Sequence, residues 1–148
     1  MSLVAIDTDV LAIHHIFTWD KRYSVNKEFL KRVSKPATTI HNLLELVSIA
    51  FRALRGDKGL EIYRTYMLSG KWSILFPDMP SDWSEYCEKV FSYLRKGMSY
   101  GDAVIAWTID EHSDLLDSFV TWNKKDFVDK LEVDVYTPEE WLKNKGYL

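Results

Sequence analysis

The sequence predicts an α/β protein with a mostly parallel central sheet of four or five strands and helices on both sides. Three observations carry this. Short apolar runs alternate with longer stretches of helical periodicity along the whole chain, the pattern of successive strand–helix–strand units. The first run, Leu3-Val4-Ala5-Ile6, is continuous rather than alternating, as a strand covered on both faces reads. The 148 residues, 47% of them hydrophobic, are enough for one domain with a sizeable core, so residues 1–148 are expected to form a single unit.

Residues 2–6 are expected to form the first strand, too short for a helix. Residues 8–18 then show Val10, Leu11, Ile13, His14 and Phe17 at helical spacing, and Lys27 to Val33 is a second helical stretch. Pro36 breaks it, and Ala37-Thr38-Thr39 fits a very short strand. Residues 40–55 are the clearest amphipathic helix, with Ile40, Leu43, Leu44, Val47, Phe51 and Leu54 as the apolar stripe. A second stripe on it holds His41, Glu45, Ser48 and Arg52. Gly56-Asp57 interrupts the pattern, and residues 58–68 resume it until Gly70. Trp72 to Phe76 reads as a strand, residues 82–96 and 100–112 as helices, and 118–122 as a strand. Lys124 to Lys130 reads as a short helix and Val133 to Tyr136 as the last strand. Thr137-Pro138-Glu139-Glu140 is a strong helix start, with Thr as cap, Pro at the first helical position and Glu three residues after the cap.

Composition narrows the function. A net charge of -3 argues against nucleic-acid binding through bulk charge, so such contact needs a local basic patch. A single cysteine, Cys87, excludes an internal disulfide and a zinc-cysteine cluster and suits a reducing, cytoplasmic compartment. No run approaches the roughly 20 apolar residues of a membrane span, and the first residues do not have the form of an export signal. The four histidines show no zinc spacing, and there is no Gly-rich phosphate loop.

Four positions carry the chemistry. Asp7 closes the first apolar run, where the carboxyl ends of parallel strands gather ligands. Glu45 lies mid-helix between Leu44 and Leu46. Asp102 opens the run Ala103-Val104-Ile105-Ala106-Trp107, a helix expected to be buried on nearly all sides. Asn123 follows Phe119-Val120-Thr121-Trp122. Each has a plainer explanation. Asp7 suits a helix N-cap, and Glu45 a solvated face shared with His41 and Arg52. Asp102 suits an acidic capping box with Ser99, and Asn123 with Asp126 an ordinary strand-to-helix turn. A carboxylate beside core elements nevertheless costs several kcal/mol unless its charge is compensated, and a divalent cation would do that.

In this order the segments Leu3-Val4-Ala5-Ile6-Asp7-Thr8-Asp9, Asn42-Leu43-Leu44-Glu45-Leu46, Tyr100-Gly101-Asp102-Ala103-Val104-Ile105-Ala106 and Phe119-Val120-Thr121-Trp122-Asn123-Lys124-Lys125-Asp126-Phe127 resemble the four acidic motifs of the PIN domain family of metal-dependent ribonucleases. Many members of this size are VapC-like toxins of type II toxin–antitoxin pairs. The resemblance spans nearly the whole chain and implies a three-layer α/β/α sandwich. It implies Mg²⁺ or Mn²⁺ held by Asp7 and Asp102 with Asn123 or Asp126 assisting, and Glu45 completing a catalytic set with Asp7 and Asp102. It further implies an RNA substrate, hydrolytic in-line attack, an antitoxin partner and a homodimer. Lys124 and Lys125 are the expected holders of the RNA backbone, and Phe17, Trp19 and the segment Tyr63–Met67 the expected partner surfaces. The departure is Asn123, where the family commonly has Asp; it keeps an oxygen ligand but loses a charge, which Asp126 or Asp9 could restore. Two other readings stand beside this one: a catalytically weak or inactive PIN-like module that binds RNA or protein, and a haloacid-dehalogenase-like phosphatase suggested by Ile6-Asp7-Thr8-Asp9.

Overall fold

A computed structural model describes residues 2–148. Its five strands, β1 (Leu3–Ile6), β2 (Pro36–Thr39), β3 (Ser73–Leu75), β4 (Leu116–Val120) and β5 (Asp134–Tyr136), form one sheet in the order β3-β2-β1-β4-β5. Every pairing is parallel. The chain builds outward from β1 to β2 and β3, then returns to add β4 on the other side of β1. The crevice between the carboxyl ends of β1 and β4 is therefore the topological switch point, the preferred ligand position in open α/β sheets.

Among the described residues eight α-helices connect and cover the sheet: α1 (Thr8–His15), α2 (Tyr23–Arg32), α3 (Ile40–Ala53), α4 (Lys58–Leu68), α5 (Trp83–Leu94), α6 (Tyr100–Glu111), α7 (Lys124–Phe127) and α8 (Pro138–Asn144). Side chains alternate across the strands, so two apolar clusters form. Val4, Ile6 and Val120 point into one cluster with Val10, Phe29, Leu43, Leu46 and Leu142, from α1, α2, α3 and α8. Ala5, Phe119 and Val135 point into the other with Val90, Val104, Ile105, Ile109 and Phe127, from α5, α6 and α7. The architecture is the expected PIN-like three-layer α/β/α sandwich.

Most elements lie where periodicity puts them, and the differences have local causes. α1 stops at His15 rather than residue 18, because the amides of Ile16 and Phe17 both turn back to the Ala12 carbonyl. α2 starts four residues before Lys27: Asp20 accepts hydrogen bonds from the Arg22 amide and guanidinium, setting up a turn that feeds the helix. α3 is rotated from the expected stripe. Leu43, Leu46 and Ala50 are buried, while Leu44 and Phe51 are each 52% exposed. Phe51 instead lies over Gly59 of α4; a Cβ added at Gly59 would sit 3.0 Å from its ring. α6 is buried from Ala103 to Ile109, as its composition predicts. α8 begins with the expected reciprocal capping box between Thr137 and Glu140.

Candidate active site

A cavity of about 740 Å³ opens at the switch point, and Asp7, Asp9, Glu45, Asp102 and Asn123 all line it. The five reach it from four pieces of backbone, Asp7 and Asp9 sharing one. Asp7 is the first residue after β1, Glu45 is in the N-terminal half of α3, Asp102 is in the first turn of α6, and Asn123 follows β4. Four segments distant in sequence thus deliver oxygen donors to one place.

Asp7 is buried, and its surroundings are specific. Its Oδ1 accepts from the Thr8 amide at 2.9 Å and from Asn42 Nδ2 at 2.7 Å, and its Oδ2 accepts from Thr121 Oγ1 at 2.7 Å. Asn42 is held by Thr39, whose hydroxyl donates to Asn42 Oδ1 at 2.7 Å. Thr8 in turn donates to Glu45 Oε1 at 2.6 Å. Thr39, Asn42, Asp7, Thr8 and Glu45 therefore form one continuous network across β1, β2 and α3. Asp9 completes it from the other side: its Oδ2 accepts from the Trp122 amide at 3.0 Å, while its Oδ1 is buried with no partner.

The electrostatics do not balance. Burial first, and then the neighbouring Asp9, push the Asp7 carboxyl up to about 8. Burial also raises Asp9, Glu45 and Asp102; Glu45 is raised further by Asp102 and Asp9, and Asp102 by Asp126. Yet all three partners of Asp7 donate to it, the arrangement that suits the charged form. What the cluster lacks is positive charge at its centre. Arg22 and Arg52 line the cavity, but Arg22 is spent on Asp20 at 3.0 Å. Among the described residues, no three His, Cys, Asp or Glu side chains are gathered closely enough to form a ready-made metal cluster. The donor set still fits a hard cation: carboxylate and amide oxygens, with an unpartnered buried one on Asp9. Mg²⁺ needs only one or two carboxylates directly, because it keeps several waters.

The plainer explanations hold in part. Asp7 does occupy the N-cap of α1 and Ser99 does cap α6 through the Asp102 amide, so cap and cavity coincide at both positions. Asn123 makes no side-chain cap bond to α7; its amide donates to Thr121 Oγ1 instead, at 3.0 Å.

Other expected site residues lie elsewhere. Asp126, Lys124 and Lys125 are outside the cavity lining. Asp126 sits close enough to raise Asp102. Lys124 points away, with Nζ 3.1 Å from both carboxylate oxygens of Glu140 on α8. Cations facing the cavity come from Arg22 and Arg52. Of the expected partner surfaces, Trp19 is 78% exposed and packs edge-on against Phe17, but Tyr66 is buried. Nothing in the sequence marks Thr8, Asn42 and Thr121, because a buried hydroxyl or amide carries no sign beyond its place beside an acid.

No protein-family model matches the chain, and no curated protein matches it in sequence. Solved structures do. What the comparison of structures defines is the fold. A toxin–antitoxin complex from Klebsiella pneumoniae has a chain 21% identical, with TM-score 0.60, covering 93% of this chain and 98% of that one. VapBC-1 from nontypeable Haemophilus influenzae matches at 14% identity and TM-score 0.63, over 93% and 98% of the two chains. Mycobacterium tuberculosis VapC20, a sarcin-ricin loop cleaving toxin, matches at 16% identity and TM-score 0.60, over 78% and 86%. The chain shares the fold of these structures.

Proposed function

We propose that this protein is a divalent-metal-dependent endoribonuclease and the toxin of a toxin–antitoxin pair. The observation that carries the reading is the convergence of Asp7, Asp9, Glu45, Asp102 and Asn123 on one cavity, with Asp7 buried, fully hydrogen-bonded by donors and short of positive charge. Mg²⁺ or Mn²⁺ would be held by Asp7 and Asp102 with Asp9 and Asn123 assisting, and Asp126 behind Asp102. Such an ion supplies a more acidic water and neutralises charge on the scissile phosphate.

The side chains divide the remaining work. Asn42 and Thr121 hold the Asp7 carboxylate in one orientation. Thr8 fixes Glu45 through Oε1, leaving the other oxygen to take the proton from the attacking water. The water oxygen attacks phosphorus in line, the phosphodiester bond to the leaving oxygen breaks, and that oxygen takes a proton from solvent as the two RNA pieces separate. Arg52 is the cationic side chain at the cavity for RNA phosphates, Arg22 being paired with Asp20. Lys125 serves an outer phosphate, whereas Lys124 is engaged with Glu140. An RNA substrate and the free Cys87 go with a cytoplasmic setting; among the described residues no helix is long and apolar enough to cross a membrane. An antitoxin that covers the acidic cavity and a second copy of the chain belong to the same reading.

The test is RNA cleavage against added metal. Cleavage that requires Mn²⁺ or Mg²⁺ and disappears in Asp102→Asn supports the reading. Asn123, and the lack of a close three-member acidic cluster among the described residues, favour one rival, a module that binds RNA without cutting it. Tight RNA binding with no cleavage at any metal concentration would favour that rival and overturn the enzymatic reading.

A further inference from the structure

α1 separates two cavities of opposite character. Its residues Ala12 and Ile13 line the acidic one. His14 and His15, at its last turn, line a second cavity of about 400 Å³ together with Lys27, Lys31, Lys71 and Trp72. Its three ammonium groups come from two separate elements, Lys27 and Lys31 from α2 and Lys71 from the segment after α4. No acidic residue lines the cavity. None of the three lysines forms an ion pair among the described residues. On a chain of net charge -3, this is a local concentration of uncompensated positive charge.

Two further observations point the same way. His14, one of the lining residues, also carries a buried Nδ1 with no hydrogen-bond partner. His14 and His15 are both pushed below the usual imidazole range, His14 by burial and then by Lys27, His15 by burial and then by His14. The carboxyl end of α1 contributes about half a negative charge, far less than three ammonium groups. The floor is aromatic: Trp72 meets Tyr66 edge-on at 4.8 Å, and Tyr66 bonds His15 Nε2 at 2.8 Å.

We infer that this basic cavity is a second phosphate-binding subsite, which takes an RNA phosphate a few nucleotides away from the scissile bond. The inference rests on the ribonuclease reading for its RNA source, but the phosphate chemistry does not. α1 has eight residues and so is about 12 Å long, a distance that a single strand crosses in a few nucleotides. Lysines suit backbone phosphate without base preference, and an aromatic floor accepts any base.

The experiment compares the full-length protein with a variant carrying Lys27→Ala, Lys31→Ala and Lys71→Ala together, both in an Asp102→Asn background so that RNA is bound and not cut. Melting curves verify that the variant is folded; single-lysine variants replace it if it is not. Probes are a fluorescent oligouridylate trinucleotide, a dodecanucleotide, free AMP and a poly-glutamate peptide. The expected result is that the triple variant binds the dodecanucleotide at least roughly tenfold more weakly, and its salt slope falls by about 2. Trinucleotide binding, confined to the acidic cavity, stays the same. Equal dodecanucleotide affinity and equal salt slope in both proteins overturn the inference and leave the ribonuclease reading standing. If the RNAs do not bind but AMP does, and the variant loses AMP, the subsite stands with free nucleotide as its source while the ribonuclease reading fails. Lysine-dependent binding of the peptide alone overturns the phosphate assignment.

Discussion

Replacing Asp7 by Asn should stabilise the metal-free protein while removing its response to metal. The carboxyl is raised from 3.8 to about 8, burial being the main cause. A group whose pKa is higher folded than unfolded supports folding below its unfolded pKa and loses that support as pH rises through the folded one. The Asp7 contribution therefore falls from about pH 4 to about pH 8. At pH 7 the gap from 3.8 is about three pK units, at most about 4 kcal/mol; structural relaxation makes roughly half of that a fair expectation. The replacement is nearly isosteric. The Asn oxygen still accepts from the Thr8 amide and Asn42 Nδ2, and the Thr121 hydroxyl, 3.3 Å from Asp9 Oδ2, can turn its proton there and accept from the new amide. A gain of about 2 kcal/mol corresponds to roughly 4–8 °C for a chain of this size. The assay is thermal melting of both proteins in chelator from pH 4 to 9, then with Mn²⁺. The histidines His14, His15 and His41, all lowered by burial, make the opposite contribution, so the difference between the two proteins is the quantity to read. It should grow with pH up to about 8, and Mn²⁺ should raise the melting point of the unmodified protein alone. A variant that melts no higher in chelator, and still gains from Mn²⁺, would refute the idea that Asp7 is a charge awaiting a cation.

Three further outcomes are expected. Thr8→Val removes the 2.6 Å bond to Glu45 and should lower kcat at least tenfold, with a stability loss of about 1–3 kcal/mol from the donors and acceptors left behind; an unchanged kcat would remove Glu45 from the proton-transfer role. Asn123→Asp adds a carboxylate at the cavity and should tighten Mn²⁺ binding roughly tenfold by titration calorimetry, about 1.4 kcal/mol, and a weaker affinity would show that position 123 does not face the ion. Lys124→Ala should leave RNA affinity within about twofold and cost about 0–1 kcal/mol of stability, because Lys124 is committed to an exposed pair with Glu140; a large loss in a filter-binding assay would return it to the RNA interface.

Much of this was readable from the residues. Continuous apolar runs marked strands buried on both faces, and the cap at Thr137 announced α8. Asp7, Glu45 and Asp102 could be found because a carboxylate stands out against apolar neighbours such as Ile6, Leu46 and Ala103. The inward face of α3 could not be read, because Phe51 finds cover over Gly59 of the next helix, a contact between helices that α3's own periodicity does not record. The same limit hid Asn42 and Thr121. Polar residues in β-turn or helix-start positions look like caps, and Asn42 is one of the residues that Thr39 caps. Only the fold shows that its other amide hydrogen bond holds an acid 35 positions away. The pairing of Lys124 was hidden for a related reason: proximity in sequence to Asn123 says nothing about which way a long flexible side chain leans, and here it leans to Glu140.

Glu140 closes the capping box of α8 through the Thr137 amide and also grips Lys124, the residue next to Asn123. The final helix is thereby a latch on the loop that completes the acidic pocket, anchored to the body of the protein by Trp141 against Phe29. A lesion at the tail, whether a clipped end or a bulky purification tag crowding α8, would loosen the mouth of the pocket without touching any residue that faces it.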